Sequence, residues 1–267
     1  MKKVNVGMLI VGCASFLCLG KDGTEDARLL SIDYSGARRC VYLAEYTSQG
    51  SFKQKETVSK KSTSVRCMLE LTHKDPMQLS IKVDSISVVS DVFNEKMKKD
   101  LRETLLKSDY SLSIARGYPI IDSAAAAPGA GYLEWDLYRQ LSKLLPALPE
   151  KAVKPGFTWE RTLTLPLQTE RGKVSCETYR AYTFAKLQGD TATITWQYTF
   201  TASKKTDSAE VFREIPVSGK GSGTAVLDVR NHCIISAAMD FTTPVARIGD
   251  VSVTWTERAE FMSVTCK

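Results

Sequence analysis

Apolar and polar residues alternate with a period of two over most of the chain beyond residue 38, which predicts strands with one buried and one solvated face. Arg39 to Tyr46, Lys53 to Val58, Ser64 to Leu71 and Met77 to Val89 read as an antiparallel meander, with Ser48-Gln49-Gly50 and His73-Lys74-Asp75-Pro76 as turns. The period then changes: Phe93, Met97, Leu101 and Leu105 recur every four residues while Lys96, Lys98, Lys99, Arg102 and Glu103 take the opposite face. That spacing predicts an amphipathic helix near 91–107, N-capped by Ser90 or Asp91. Its basic side reads as a solvated face or as a contact for anionic lipid head groups.

Tyr110 to Ile121 is again extended and leads into the small-residue stretch Ala124 to Gly131, which reads as a linker or mobile loop. Leu133, Leu137, Leu141 and Leu145 repeat the four-residue stripe, predicting a second helix near 132–145 that Pro146 and Pro149 stop. Strands return at Thr158 to Leu165, Ser175 to Leu187, Thr191 to Ala202, Glu210 to Val217, Gly223 to Val229, Cys233 to Thr242 and Val251 to Phe261. Gln188-Gly189-Asp190 and Arg230-Asn231-His232 read as tight turns between them. The expected fold class is therefore mainly β: curved antiparallel sheets or half-barrels, each packed by an amphipathic helix. The chain divides into a leader (1–20), a first sheet with its helix (21–121), a linker and helix (122–155) and a second sheet (156–267).

The leader departs from every other segment. Lys2 and Lys3 precede an apolar run from Val4 to Leu19, and the sequence then turns abruptly to Lys21-Asp22-Gly23-Thr24-Glu25-Asp26. A basic start followed by an apolar stretch reads as an export signal or an uncleaved membrane anchor. Small residues at Cys18 and Gly20 suit an ordinary signal peptidase, whereas Ile10-Val11-Gly12-Cys13 resembles a lipobox with Cys13 as the lipidated residue. The remaining alternative, a buried N-terminal helix, lacks the amphipathic alternation it would need. Export to the periplasm or attachment to the cell envelope through the N-terminus is the expectation. The roughly 245 residues beyond the leader suffice for one large β domain or two small ones.

Charge and cysteine content narrow the function classes. The net charge of +6 falls to +4 once Lys2 and Lys3 leave with the leader, and basic residues are interleaved with acids. Lys53, Lys55, Lys60 and Lys61 form a local cluster without interleaved aromatics, which reads as a solvated edge or hairpin and weighs against a nucleic-acid partner. Cys40, Cys67, Cys176, Cys233 and Cys266 lie beyond the leader, an odd number with no C-x-x-C spacing. They read as structural thiols or disulfides, and Cys40 with Cys67, on separate predicted strands, is the first pair to test for a bridge.

Motifs of catalysis do not emerge. Gly219-Lys220-Gly221-Ser222-Gly223 runs into a strand-like segment rather than a helix N-terminus, so it reads as a flexible hairpin end and not a phosphate loop. The two histidines, His73 and His232, fall in predicted turns, and Asp84, Asp228 and Asp240 fall on strands without acid-base spacing. No catalytic residue, metal site or cofactor is expected.

Leu148-Pro149-Glu150-Lys151-Ala152-Val153-Lys154-Pro155-Gly156-Phe157-Thr158-Trp159, the glycine-rich Gly219 to Gly223 and Leu227-Asp228-Val229 together carry a resemblance. This stretch, roughly residues 145 to 245, resembles an uncharacterised family of exported bacterial β-rich proteins, in which an "L-P … V-K-x-G-x-x-W" lead-in precedes a large antiparallel sheet. The chain departs from that pattern after Asp228, where Asn231-His232 takes the turn. At fold level the long meander with a helix on one face is also similar to LolA and LolB type lipoprotein carriers. The family resemblance implies a fold without supplying an activity, and the likeness to the carriers, whose concave side holds acyl chains, implies an apolar ligand. The expected function is that of a non-enzymatic envelope protein that binds or carries a lipid-like ligand, with Phe93, Met97, Leu101 and Leu105 facing the first sheet either as a plug of dry core or as the lining of the ligand cavity. The alternative is a structural or interaction module that docks an envelope protein.

Overall fold

The alternation is realised as strands longer than the local pattern implies. The computed structural model describes residues 27–32, 39–75, 78–107, 109–115, 118–120, 144–169, 172–202, 218–248 and 251–266. In chain order these form β1 (Cys40–Gln54), β2 (Thr57–Asp75), β3 (Gln78–Ser90), α1 (Glu95–Lys107), β4 (Asp109–Ala115) and β5 (Tyr118–Ile120). They continue with β6 (Thr158–Thr169), β7 (Gly172–Gln188), β8 (Thr191–Ala202), β9 (Ser218–Asp228), β10 (Cys233–Ile248) and β11 (Val251–Cys266). All eleven strands join one antiparallel sheet in the order β5-β4-β3-β2-β1-β11-β10-β9-β8-β7-β6. The first and last long strands, β1 and β11, are neighbours, so strands of both halves of the sequence share one sheet.

Three local expectations change. Ser48-Gln49-Gly50 is not a turn but the interior of β1, and the β1–β2 reversal falls at Lys55-Glu56 with Lys55 at φ 51°. Gly50 stays in the strand because neighbouring rings use its space: a Cβ there would lie 2.5 Å from Trp255 Cζ3. Gly219 to Gly223, expected at a hairpin end, forms the body of β9. The helix begins at Glu95 with Asn94 as its cap, Asn94 Oδ1 accepting from Met97 N at 2.9 Å. Ser90 instead accepts from Val92 N and Phe93 N, and Asp91 accepts from the Ser62 hydroxyl, so both shape the chain leading into α1. The lysine cluster is exposed around the β1–β2 hairpin. The leader with Cys13, the small-residue stretch 124–131, the strand expected at 210–217 and residues 132–143 of the second expected helix lie outside the described residues.

The expected Cys40–Cys67 bridge is corrected. Cys40 is bonded to Cys266, its direct cross-strand neighbour, with Cα atoms 4.1 Å apart. In the β1–β2 register Cys40 faces Leu71 while Cys67 faces Ala44, which separates the two thiols along the strands. Cys67 is a buried free thiol. A disulfide joining the start of β1 to the end of β11 fits an extracytoplasmic protein.

Residues 27–32 tie the ends of the sheet connections together. Arg28 and Val153 exchange both backbone hydrogen bonds at 2.8 and 2.9 Å, Leu30 is buried, and Ser31 Oγ lies 2.7 Å from His232 Nδ1. His232 itself occupies the left-handed region at φ 53° in the β9–β10 turn. Asp228 braces that turn: its carboxylate accepts from Arg230 N, Asn231 N and Asn231 Nδ2 at 2.7–3.0 Å.

Candidate functional site

The antiparallel register assembles the buried face of the sheet row by row, and the rows differ in chemistry. One row runs Ile86, Cys67, Ala44, Phe261, Ala237, Ala225, Ile194 and Phe184 across eight strands. Beside it runs Val88, Val65, Tyr46, Ala259, Met239, Gly223, Trp196, Tyr182 and Trp159. The third row changes character: Ser90, Thr63, Ser48, Glu257, Phe241, Gly221, Tyr198 and Arg180. Ser90, Thr63, Ser48, Glu257 and Arg180 are all buried, so a polar band crosses an otherwise apolar face.

The apolar part carries an aromatic wall on β6, β7 and β8. Ring centroids of Phe157 and Trp159 are 6.1 Å apart, those of Trp159 and Tyr182 5.3 Å, and those of Tyr182 and Trp196 6.0 Å. Spacings of this order are those of attractive offset or tilted rings. Trp159 Nε1 donates to Ala147 O at 2.7 Å and so fastens buried residues 144–148 against the β6 edge. The glycines of β9 make the wall possible: a Cβ on Gly223 would meet Trp196 Cζ2 at 2.3 Å, and one on Gly219 would meet Phe241 Cζ at 2.2 Å.

At the other end of the sheet, α1 covers β3. Phe93, Leu101 and Leu105 are buried and Met97 is half-buried, all in the same hydrophobic cluster as the sheet face. Met97, Leu101 and Leu105 line one face of α1 as their spacing predicts, while Phe93 joins the same cluster from the chain leading into the helix. Thr63 Oγ1 and Ser90 Oγ, 2.8 Å apart, join the polar band to the chain that enters this helix. The opposite face of the sheet is solvated and charged, with Arg66–Glu45, Arg39–Glu70 (2.6 Å) and Arg258–Asp240 (3.1 Å) bridging neighbouring strands.

Sequence reasoning did not single out the β7–β8 part of the band. Arg180 is fully buried, its Cζ 4.9 Å from the centre of the Tyr198 ring, a cation–π arrangement. One row away, Tyr182 OH and Trp196 Nε1 are buried donors without a hydrogen-bond partner among the described residues. An unpartnered buried donor costs about 1–3 kcal/mol. The signal was present in the phase of β7: Arg180 lies two and four residues from Tyr182 and Phe184, and a strand puts such positions on one face. Among the described residues no group of three His, Cys, Asp or Glu side chains is arranged to hold a metal ion.

The fold is similar to part of lipovitellin, in a structure reporting its lipid-protein interactions: TM-score 0.54 and 10% identity over 88% of this chain. The chain spans only 26% of the lipovitellin chain. A DUF1329 family protein from Desulfovibrio piger aligns over 84% of this chain and 86% of its own at 9% identity and a TM-score of 0.20. A domain assigned to outer membrane lipoprotein sorting, from Vibrio parahaemolyticus, aligns over 84% of each chain at 8% identity and a TM-score of 0.15. Neither of the last two scores supports an argument. No curated protein sequence matches the chain. Residues 134–234, which include the Leu148 to Trp159 lead-in and all of β9, match a family of unknown function, DUF6263.

Proposed function

We propose that this chain is an exported, non-enzymatic envelope protein that binds an apolar, lipid-like ligand on the buried face of its sheet. The observation that carries the reading is the breadth of that face: rows of aliphatic and aromatic side chains continue across eight or nine strands. Among the described residues a single helix packs on it, through β3 at one end. Apolar surfaces with a few placed polar groups are what ligands of this class use. The likeness to part of lipovitellin, a protein whose structure is described for its lipid–protein interactions, supports the same reading. Residues such as Leu101 and Ile194 are 2% and 0% exposed, so a ligand reaches them only by displacing the groups packed against them. Association should then be slower than an open groove allows.

Titration with a fluorescent fatty acid tests this directly. The full chain should bind the probe with a slow phase, and Leu101→Ala should weaken or alter uptake while costing about 2–5 kcal/mol of stability. The same stability loss with no probe binding by the unaltered protein would reduce the stripe to ordinary core and overturn the reading. A second reading, docking of an envelope protein, has its own support on the solvated face, where Met262 and Val264 of β11 are more than half exposed and Ile235 of β10 is over a third exposed. Retention of a protein partner together with absence of probe binding would favour it.

A further inference from the structure

We propose that the β1–β2 hairpin, with the ends of β10 and β11 beside it, docks the protein onto an anionic phospholipid bilayer, Phe52 and Trp255 entering the interface and lysines holding the head groups. The inference goes beyond the apolar-ligand reading and does not depend on it. Pairing of β2 with β3 ends at Thr63 and Ser90, and pairing of β10 with β9 ends at Thr242 and Lys220. The four strands between run on. Pairing of β1 continues to Thr57 of β2 and to Val251 of β11, both opposite Gln54, and β10 follows β11 as far as Ile248. Among the described residues, a tongue of four strands therefore extends past the neighbours on either side.

Residues 53–62 of this tongue are all exposed and hold four lysines against one carboxylate, Glu56. Asp91 interacts with Lys61, which leaves the excess of positive charge on Lys53, Lys55 and Lys60. In sequence the β10–β11 connection adds Arg247 and Asp250, whose charges cancel. The aromatic residues that the sequence does not interleave with these lysines are supplied across strands. Phe52 and Trp255 are half-buried and pack edge to face, their ring centroids 6.2 Å apart. Trp255 lies over Gly50, whose partner on the other side is Lys61, and Val58, opposite Lys53, is 52% exposed. Aromatic rings favour the head-group zone of a bilayer, and lysines lay apolar stems there while keeping their charge in water. Apolar and cationic groups on one surface add burial to attraction for anionic lipid. Single-stranded nucleic acid stacks on open ring faces, whereas these two rings pack against each other. The Cys40–Cys266 disulfide also fits a compartment outside the cytoplasm, where bilayers offer the broad anionic surface.

Vesicles of phosphatidylcholine alone, and of phosphatidylcholine with phosphatidylglycerol in equal parts, both with brominated acyl chains, test the proposal on the full chain. Bromine quenches tryptophan that reaches the bilayer, so the measurement reads the tongue rather than attachment through the leader. Half-maximal quenching should need about tenfold less lipid with the anionic vesicles, since each lysine near such a surface strengthens binding several-fold. Replacing Lys53, Lys55 and Lys60 together by Gln changes only exposed side chains, so the melting midpoint should hold while the preference for anionic vesicles disappears. Trp255→Phe should abolish the quenching. Equal quenching by the two kinds of vesicle, or a preference that survives the triple replacement, would overturn the proposal. Quenching that persists in Trp255→Phe would overturn it as well, because another tryptophan, and so another face, then reaches the lipid. No quenching by either kind would also overturn it and leave the apolar-ligand reading, tested by the fatty-acid titration, untouched.

Discussion

Cys67 shows what burial does to a single side chain on this sheet. Its thiol sits between Ala44 and Ile86 in the apolar row, and burial pushes its pKa from the ordinary 9.0 up to about 12. Between pH 9 and 12 the unfolded chain gives up this proton while the folded chain keeps it. Stability should therefore be unaffected by this group below pH 9 and fall above it, by up to about 1.4 kcal/mol per pH unit. Denaturation midpoints at pH 8 and 10 for the protein and for Cys67→Ala check this. The drop between them should be smaller in the variant; an identical drop would mean that the thiol is not buried as described. At this scale the sequence was informative about phase and silent about pairing. The stripe Met97, Leu101 and Leu105 was legible because a helix repeats every 3.6 residues, whereas Phe93 packs from the segment before the helix. The buried Arg180 was equally in phase with Tyr182 and Phe184, but a strand pattern does not distinguish a charged residue kept inward from one placed at a strand end. Asp228 carries a smaller effect of the opposite sign: partial burial raises its pKa, yet hydrogen bonds from Asn231 and Arg230 outweigh that and hold it low, so their support fades as pH falls through its folded value.

Strand β9 illustrates why elements were harder to bound than residues. A run of Gly-Lys-Gly-Ser-Gly carries every local mark of a loop, yet it holds the middle of a sheet because Trp196 and Phe241 from the strands on either side lie over the missing side chains. Gly223→Ala should therefore force Trp196 off its place and cost about 1–3 kcal/mol as an overpacked site. Tryptophan emission and the denaturation midpoint should shift together. An unchanged midpoint would contradict the close seating of the ring over Gly223. Ser48-Gln49-Gly50 misleads for the same reason, since Trp255 fills the space above Gly50 and the strand runs on to Gln54. In both cases the glycine is explained by a side chain far away in sequence, which no local window contains.

The whole molecule depends on contacts of the longest range. Pairing of β1 with β11, closed by a disulfide between residues 226 apart, turns two local meanders into one sheet. Periodicity foretold the meanders and the antiparallel class, because those follow from neighbours in sequence. It did not foretell the central seam, because loop closure over such a distance leaves no mark on the pattern at either end. That seam makes the apolar rows continuous from α1 to the aromatic wall, and the functional reading rests on this continuity. Native mass spectrometry of the protein, purified from its own cells under mild conditions without detergent, addresses it most directly. The intact protein should carry additional mass that dissociates as acyl-containing lipid. A bare polypeptide mass, with no lipid recovered by extraction of the same sample, would contradict the assignment of this face to an apolar ligand.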